Sequence, residues 1–281
     1  MSLPILAKSR GGAFAAAPAA PAVASGYDLD DSHNIDTTPF IHWDASTLVS
    51  VDGVADTNPN STFSTWTSRE GSDYELVQTD ATEQFSYESS SSNMNSKPVA
   101  YASDNARHMM TATDFLSAGT VTMPVTITVA LYMSTVSDGS NCLIGGMDAS
   151  GNNINHFKDL SPRSSNWNIY MNDGGHFRGT AVSLGAQIIT WELNPSGTSY
   201  FYQELARATV SGTVSSNNPF NYLLSLGASN TGTLDVSTNT EIAEVVIYNE
   251  VLSDTTMSGS NVDGGELYTI ITYLKSKYGI S

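Results

Sequence analysis

Residues 241–254 read EIAEVVIYNEVLSD and residues 266–281 read ELYTIITYLKSKYGIS. The first stretch has the β-branched content of a strand and runs into turn residues. The second is of another kind. Leu267, Ile270, Ile271, Leu274 and Tyr278 recur at helical spacing, an apolar stripe along one side of a helix. Glu266 at its start and Lys275 and Lys277 near its end suit the two poles of the helix dipole. Gly279 supplies the left-handed residue that ends a helix. A helix of this design lays one face on a body made of strands.

That body is legible upstream. In PVTITVALYM, residues 124–133, Val125, Ile127, Val129, Leu131 and Met133 fall on one face of a strand. WNIYM (167–171) is a second strand, followed by the turn sequence NDGG. AQIITWEL (186–193), NPSG and TSYFYQEL (198–205) read as a hairpin, and YLLSLG (222–227) as another strand. No βαβ spacing separates them, so the pattern is an antiparallel sandwich. No internal repeat is visible.

Composition narrows the function classes. Over 281 residues, 40% are hydrophobic and 14% charged, with acidic side chains outnumbering basic ones 28 to 11 for a formal charge of −17. So acidic a surface repels phosphate backbones and anionic bilayers, which excludes nucleic-acid and membrane-surface partners. No apolar run approaches the roughly 20 residues that span a bilayer. Cys142 is the single cysteine, so an internal disulfide framework is ruled out, and it reads as a buried small hydrophobe. The five histidines, His33, His42, His108, His156 and His176, form no zinc-binding pair.

The order of these pieces resembles a known family. FIHWDASTL (40–48), STWTSREG (64–71), SKPVAYASDNARHMMTA (96–112) and VTITVALYM (125–133) resemble the first half of a laminin-G-like, concanavalin A-like jelly roll. IITWELNPSGTSYFYQEL (188–205), YLLSLGASN (222–230), EIAEVVIYNEVLSD and YLKSKYGI (273–280) resemble its second half. The resemblance implies an all-β fold: a two-sheet antiparallel jelly-roll sandwich with a concave face, a short C-terminal helix over one sheet, and an extended N-terminal arm. It covers residues 39–281 and leaves residues 1–38 outside. TTMSGSNVDGG (255–265) departs from the family's pattern and reads as a long loop before the helix.

The family hosts both lectins and glucanases, so the residues must decide. Glucanase relatives carry two glutamates and an aspartate on one strand. Here TEIAEVV (240–246) offers Glu241 and Glu244 without the aspartate. Their odd separation sends them to opposite faces of a regular strand, where they cannot flank a scissile bond unless a bulge intervenes. No catalytic residue is expected. MDASGNN (147–153) and NTGTLD (230–235) carry oxygen ligands without a recognised calcium spacing, so neither a metal nor a cofactor is expected. A glycan site would use Trp167, Asn168, Tyr170, Asn172 and Asp173, which combine aromatic faces with amide and carboxylate groups. The same strand also reads as a core face built from Trp167, Ile169 and Met171.

The opening segment differs from the rest, with no acid before Asp28 and a run of Ala and Pro. Pro4, Pro18 and Pro21 interrupt the apolar stretch that a signal peptide requires. It reads instead as an extended strap that anchors on a sister subunit through Leu3, Leu6, Lys8, Arg10 and Phe14. Three readings follow. The first is a non-enzymatic bacteriophage virion protein on the particle surface, as capsid decoration or as a tail or fibre adhesin. It would be a homo-oligomer joined to other virion subunits by its arm, with host-surface glycan as a further partner. The second is a free or secreted carbohydrate-binding protein, and the third a divergent glycosidase.

Overall fold

The computed structural model describes residues 39–48, 61–103, 107–111, 124–135, 141–147, 155–161, 166–171, 175–210, 223–227, 239–252 and 256–281. The first strands are β1 (Ile41–Asp44), β2 (Ser61–Thr62), β3 (Thr65–Ser68), β4 (Gly71–Val77), β5 (Ser86–Ser91), β6 (Lys97–Ala102) and β7 (Met109–Thr111). The long strand β8 (Val125–Met133) precedes β9 (Asn141–Met147), β10 (Asn155–Ser161), β11 (Asn166–Met171) and β12 (Gly175–Ala181). Then come β13 (Gly185–Leu193), β14 (Tyr200–Gln203), β15 (Ala206–Thr209), β16 (Leu223–Leu226) and β17 (Thr240–Tyr248). A hairpin of β18 (Thr256–Ser258) and β19 (Asn261–Gly264) leads into helix α1 (Gly265–Tyr278).

The strands form two antiparallel sheets, as the sequence pattern requires. The larger runs β18-β19-β15-β14-β13-β8-β17-β6-β5-β2, with β1 also paired to β17. The smaller runs β12-β11-β10-β9-β16-β7-β4-β3. Between them lies one apolar core, to which β8 gives Val125, Ile127, Val129, Leu131 and Met133. All four tryptophans, Trp43, Trp66, Trp167 and Trp191, belong to it. Trp167 stacks on Phe201 at 6.1 Å between ring centroids and meets Trp191 edge-on at 6.0 Å.

The outer face of the larger sheet carries a second core. Ala130, Ile188, Tyr202, Val246 and Tyr248 from the sheet pack there with Leu267, Ile270, Ile271, Leu274 and Tyr278 of α1. The whole helical stripe read from the sequence is therefore buried, each such Leu or Ile contributing about 1.5–3 kcal/mol. Gly279 takes the left-handed conformation at φ 66° and ends the helix. The layers are thus sheet, core, sheet, core and helix.

The stretch expected to be a long loop before the helix is largely the β18–β19 hairpin. It pairs with β15 and extends the larger sheet. Its Ser, Thr, Asn and Gly composition hid two short strands, the outer one at the sheet edge, that are held by backbone pairing. The arm residues Leu3, Leu6, Lys8, Arg10 and Phe14 lie outside the described residues, as do both candidate calcium loops beyond Met147.

Candidate functional site

Strand β17 organises the outer face of the larger sheet. One of its edges pairs with β8 throughout. The other pairs with β6 over Thr240–Ile242 and then with β1 over Glu244–Ile247. Where the partner changes, the β17–β8 register shifts: Ile242 faces Leu131, yet Glu244 faces Ala130. This is a β-bulge, with one extra residue on the bulged strand. Leu131 belongs to the inter-sheet core and Ala130 to the helix side, whereas Glu241 faces Tyr132, also on the helix side. Glu241 and Glu244 therefore share the outer face. The expectation of opposite faces is corrected, because the bulge breaks the period-2 rule on which it rested.

The two carboxylates nonetheless enter separate networks. Glu244 is fully buried beneath α1. Its Oε1 accepts from His42 Nε2 at 2.6 Å, and its Oε2 accepts from Lys277 Nζ at 2.6 Å and from the Tyr278 hydroxyl at 2.7 Å. Lys277 also reaches Asp44 Oδ2 at 2.9 Å, where Arg69 donates at 2.7 Å. The other oxygen of Asp44 accepts from the Ser46 amide at 2.8 Å, capping a short 3-10 turn. Burial alone would raise the Asp44 carboxyl, but Lys277, Arg69 and His42 outweigh it and hold it well below the usual range. Burial and Asp44 push Glu244 up, while Lys277 and His42 bring it below its ordinary value. Burial would lower Lys277, and the two carboxylates raise it instead.

Among the described residues, His42, Asp44 and Glu244 are the group with spatially convergent metal-ligand atoms, all within 4.8 Å of one another. Their charge is already matched: two carboxylates face the Lys277 ammonium and the Arg69 guanidinium. A divalent cation here would have to displace Lys277 from both carboxylates. The cluster fits a fastener between α1, β1 and β17 and not a metal site. Nothing in the sequence announces it, since its members come from residues 42, 44, 69, 244, 277 and 278.

Glu241 is the next residue along the same face of β17, facing Tyr132 where Glu244 faces Ala130. Its carboxylate accepts from the Ser91 hydroxyl and, at 2.6 Å, from Asn93 Nδ2. On one side the register places Tyr101 of β6 beside it, and on the other Tyr132 of β8. Tyr101 donates its hydroxyl to Asn239 Oδ1 at 2.6 Å. Both tyrosines are half-buried. They stand two strands apart, about 10 Å, on one row of one face. Glu88 of β5 joins them, opposite Val99 and two residues along from Ser86, which faces Tyr101. Burial and then the Glu241 charge raise the Glu88 carboxyl, and burial, Glu241 and Glu88 together raise the Tyr101 phenol. The result is a pair of aromatic faces around a fixed carboxylate, with Asn93 exposed at the rim.

The glycan site expected on β11 is not the one assembled here. Trp167 is 1% exposed in the inter-sheet core and cannot serve as a stacking platform, a correction that follows from its packing on Trp191 and Phe201. Asn168 and Tyr170 lie on β11, their side chains outside the described residues, and so do Asn172 and Asp173 altogether. With every tryptophan in the core, aromatic platforms on the described surface fall to tyrosine. Tyr101 stands inside a segment singled out for its resemblance, yet only the strand register shows that it shares a row with Tyr132.

No protein-family model matches this chain, and no curated protein does. Solved structures do. Domain 4 of AbnA, a GH43 extracellular arabinanase from Geobacillus stearothermophilus, solved in complex with arabinotriose, aligns with a TM-score of 0.50 at 10% identity. That alignment covers 84% of this chain and 98% of that one. Trypanosoma rangeli sialidase aligns with a TM-score of 0.49 at 9% identity over 84% of this chain. The chain spans only 32% of that sialidase. Likeness at such identity concerns the fold. It corrects the expectation of a bacteriophage virion protein, whether capsid decoration or tail or fibre adhesin. The structures it aligns with are an arabinanase domain and a sialidase, neither of them a virion protein.

Proposed function

We propose that this chain is a non-catalytic carbohydrate-binding domain of the laminin-G-like, concanavalin A-like kind, holding an oligosaccharide across Tyr101 and Tyr132. The observation that carries the reading is the row itself. Two half-buried tyrosines flank a carboxylate that its own hydrogen bonds hold in place. Sugar rings present apolar C–H faces that stack on aromatic rings, and their hydroxyls need amide and carboxylate partners. The spacing of the two rings is one that a short oligosaccharide spans. The arabinanase domain, whose fold this chain shares, was solved with arabinotriose, which places arabino-oligosaccharides first on the panel to be tried.

The state of the carboxylates on this row among the described residues supports binding without hydrolysis. A retaining glycosidase brings two carboxyl groups to within about 5.5 Å across the scissile bond. Glu241 is 4% exposed with both oxygens hydrogen-bonded, and Glu244 is sealed beneath the helix. Among the described residues of this row, Glu88 is left as the accessible carboxylate. Titration calorimetry against a panel of neutral oligosaccharides tests the reading. Tyr101→Ala and Tyr132→Ala should each weaken binding about tenfold, with no reducing sugar released by any form. Wild-type affinity in both variants would overturn the site, and sugar release abolished by Glu88→Gln would overturn the non-catalytic reading.

A further inference from the structure

We infer that the chain carries a second site, for a uronate sugar, in which Arg207 takes the carboxylate and Glu192 a neighbouring hydroxyl. It rests on the carbohydrate reading for the class of ligand, and on different residues for everything else. Pairing sets Glu192 of β13 opposite Tyr200 of β14, and Tyr202 of β14 opposite Arg207 of β15. Tyr202 belongs to the helix-side core, so all four stand on the outer face of the larger sheet. Tyr132 lies opposite Ala186, six residues and about 20 Å along β13 from Glu192. The two sites are therefore separate.

The half-buried Arg207 holds its guanidinium 4.4 Å from the centroid of the Tyr200 ring. Its backbone amide donates to the Ser260 carbonyl at 2.8 Å. Stacking fixes the plane of the guanidinium and leaves its N–H edges able to donate. Among the described residues those edges meet no hydrogen-bond acceptor and no ion-pair partner. Arg69, Lys275 and Lys277, by contrast, each meet a carboxylate, and Arg107 a carbonyl. Glu192 is the second, independent observation. It is 4% exposed, and the Tyr202 hydroxyl donates to its Oε2 at 3.1 Å, yet its Oε1 has no partner among the described residues. A buried acceptor left without a donor is costly, and a ligand hydroxyl supplies one. Burial raises the Glu192 carboxyl, while the Tyr202 hydrogen bond and the Arg207 charge pull it down. The two groups thus feel one another across Tyr200 without closing into an ion pair. A uronate ring presents a carboxylate beside a hydroxyl, and a planar guanidinium meets a carboxylate through two parallel hydrogen bonds.

The test is titration calorimetry with tri-galacturonate and its methyl ester, which keeps the hydroxyls and removes the charge. The wild-type protein should bind the acid about tenfold more tightly than the ester. Arg207→Gln should abolish that preference. Arg207→Lys, which keeps the charge but not the planar fork, should lose most of it. Glu192→Gln should weaken acid and ester alike, because a neutral acceptor holds a hydroxyl less strongly than a carboxylate does. Lys275→Gln, an equal change in net charge elsewhere, should preserve the preference. Equal affinity for acid and ester overturns the inference, as does a preference that persists in Arg207→Gln. An equal loss in Lys275→Gln overturns it too, by assigning the effect to overall charge, and unchanged affinities in Glu192→Gln overturn the two-point site. If Tyr101→Ala abolishes the preference together with neutral-sugar binding, the carboxylate is read at the tyrosine row and the second site falls. If Tyr101→Ala and Tyr132→Ala bind neutral sugars like wild type while Arg207→Gln loses the preference, the tyrosine row falls and the uronate site stands.

Discussion

Lys277, in the last turn of the helix, donates across 2.6 Å to Glu244, a carboxylate wholly shut off from solvent in the middle of β17. The pair ties the final element of the domain to its central strand. Removing one member of a buried ion pair strands the other, at a cost of roughly 3–5 kcal/mol. Lys277→Met should destabilise the fold by about that amount in urea denaturation. Lys277→Met with Glu244→Gln should recover part of the loss, because no uncompensated carboxylate then remains at that position. Strict additivity of the two changes would show that the side chains are not coupled.

The same cluster sets a pH dependence. Asp44 and Glu244 are held below their ordinary values of 3.8 and 4.5. A carboxylate depressed by folding contributes stability above its unfolded value, and that contribution is lost as pH falls through its folded value. Lys277, raised above its ordinary 10.5, contributes fully below that value and is lost only as pH rises past its folded one. The network is therefore complete between about pH 5 and about pH 10. Glu192 and Glu204 are shifted upward by burial and act in the opposite sense under acid, but they are common to wild type and variant. The stability gap between wild type and Glu244→Gln should be flat from pH 5 to pH 9 and narrow progressively below about pH 4. A gap unchanged down to pH 2 would sever the link between ionisation and stability.

Leu274 and Lys275 separate the two faces of the helix. Leu274 is fully buried, whereas Lys275 is 21% exposed at its side chain and sits 3.6 Å from Glu204. Leu274→Ala should cost about 2–5 kcal/mol as a core truncation. Lys275→Ala should cost about 1 kcal/mol or less, as a partly solvated pair does. Comparable losses in thermal unfolding would contradict the burial of the stripe.

Gly279 holds φ at 66°, and a Cβ added there would lie 3.1 Å from the Cβ of Asn95. An L side chain resists the left-handed region, and the turn that carries Asn95 would have to give. Gly279→Ala should lower stability by about 1–2 kcal/mol, read as a shifted urea midpoint. A neutral result would mean that the helix end is not fixed by this cap.

How much was readable in advance differs by element. The α1 stripe and the inward face of β8 were legible because burial repeats at 3.6 and at 2 residues, and both elements keep their period. The β17 carboxylates were not. A bulge leaves no compositional mark, and the one after Ile242 coincides with the change of partner from β6 to β1, a relation between segments more than a hundred residues apart. The edge hairpin before α1 was missed because backbone pairing, with little apolar side-chain content, holds Thr256–Ser258 to Asn261–Gly264. The proposed tyrosine row escaped the sequence reading for a related reason. Tyr101, Tyr132 and Glu241 are ordinary residues in ordinary strands, and only register makes them neighbours. Trp167 misled because a strand that pairs a tryptophan with a tyrosine suggests a sugar platform, whereas here every tryptophan fills the space between the sheets.

The contact between Lys277 and Asp44 joins the strand that follows residues 1–38 to the last turn of the helix. Tension drawn between those two ends is therefore taken up at one corner of the domain, through β1, the lower half of β17 and the ion pairs that bind them. The turn between β5 and β6 shares that load, since Asn95 donates to the Lys277 carbonyl at 3.1 Å. A pull on the domain therefore also reaches the strand that carries Tyr101, and a grip formed there would feel the tension on the chain.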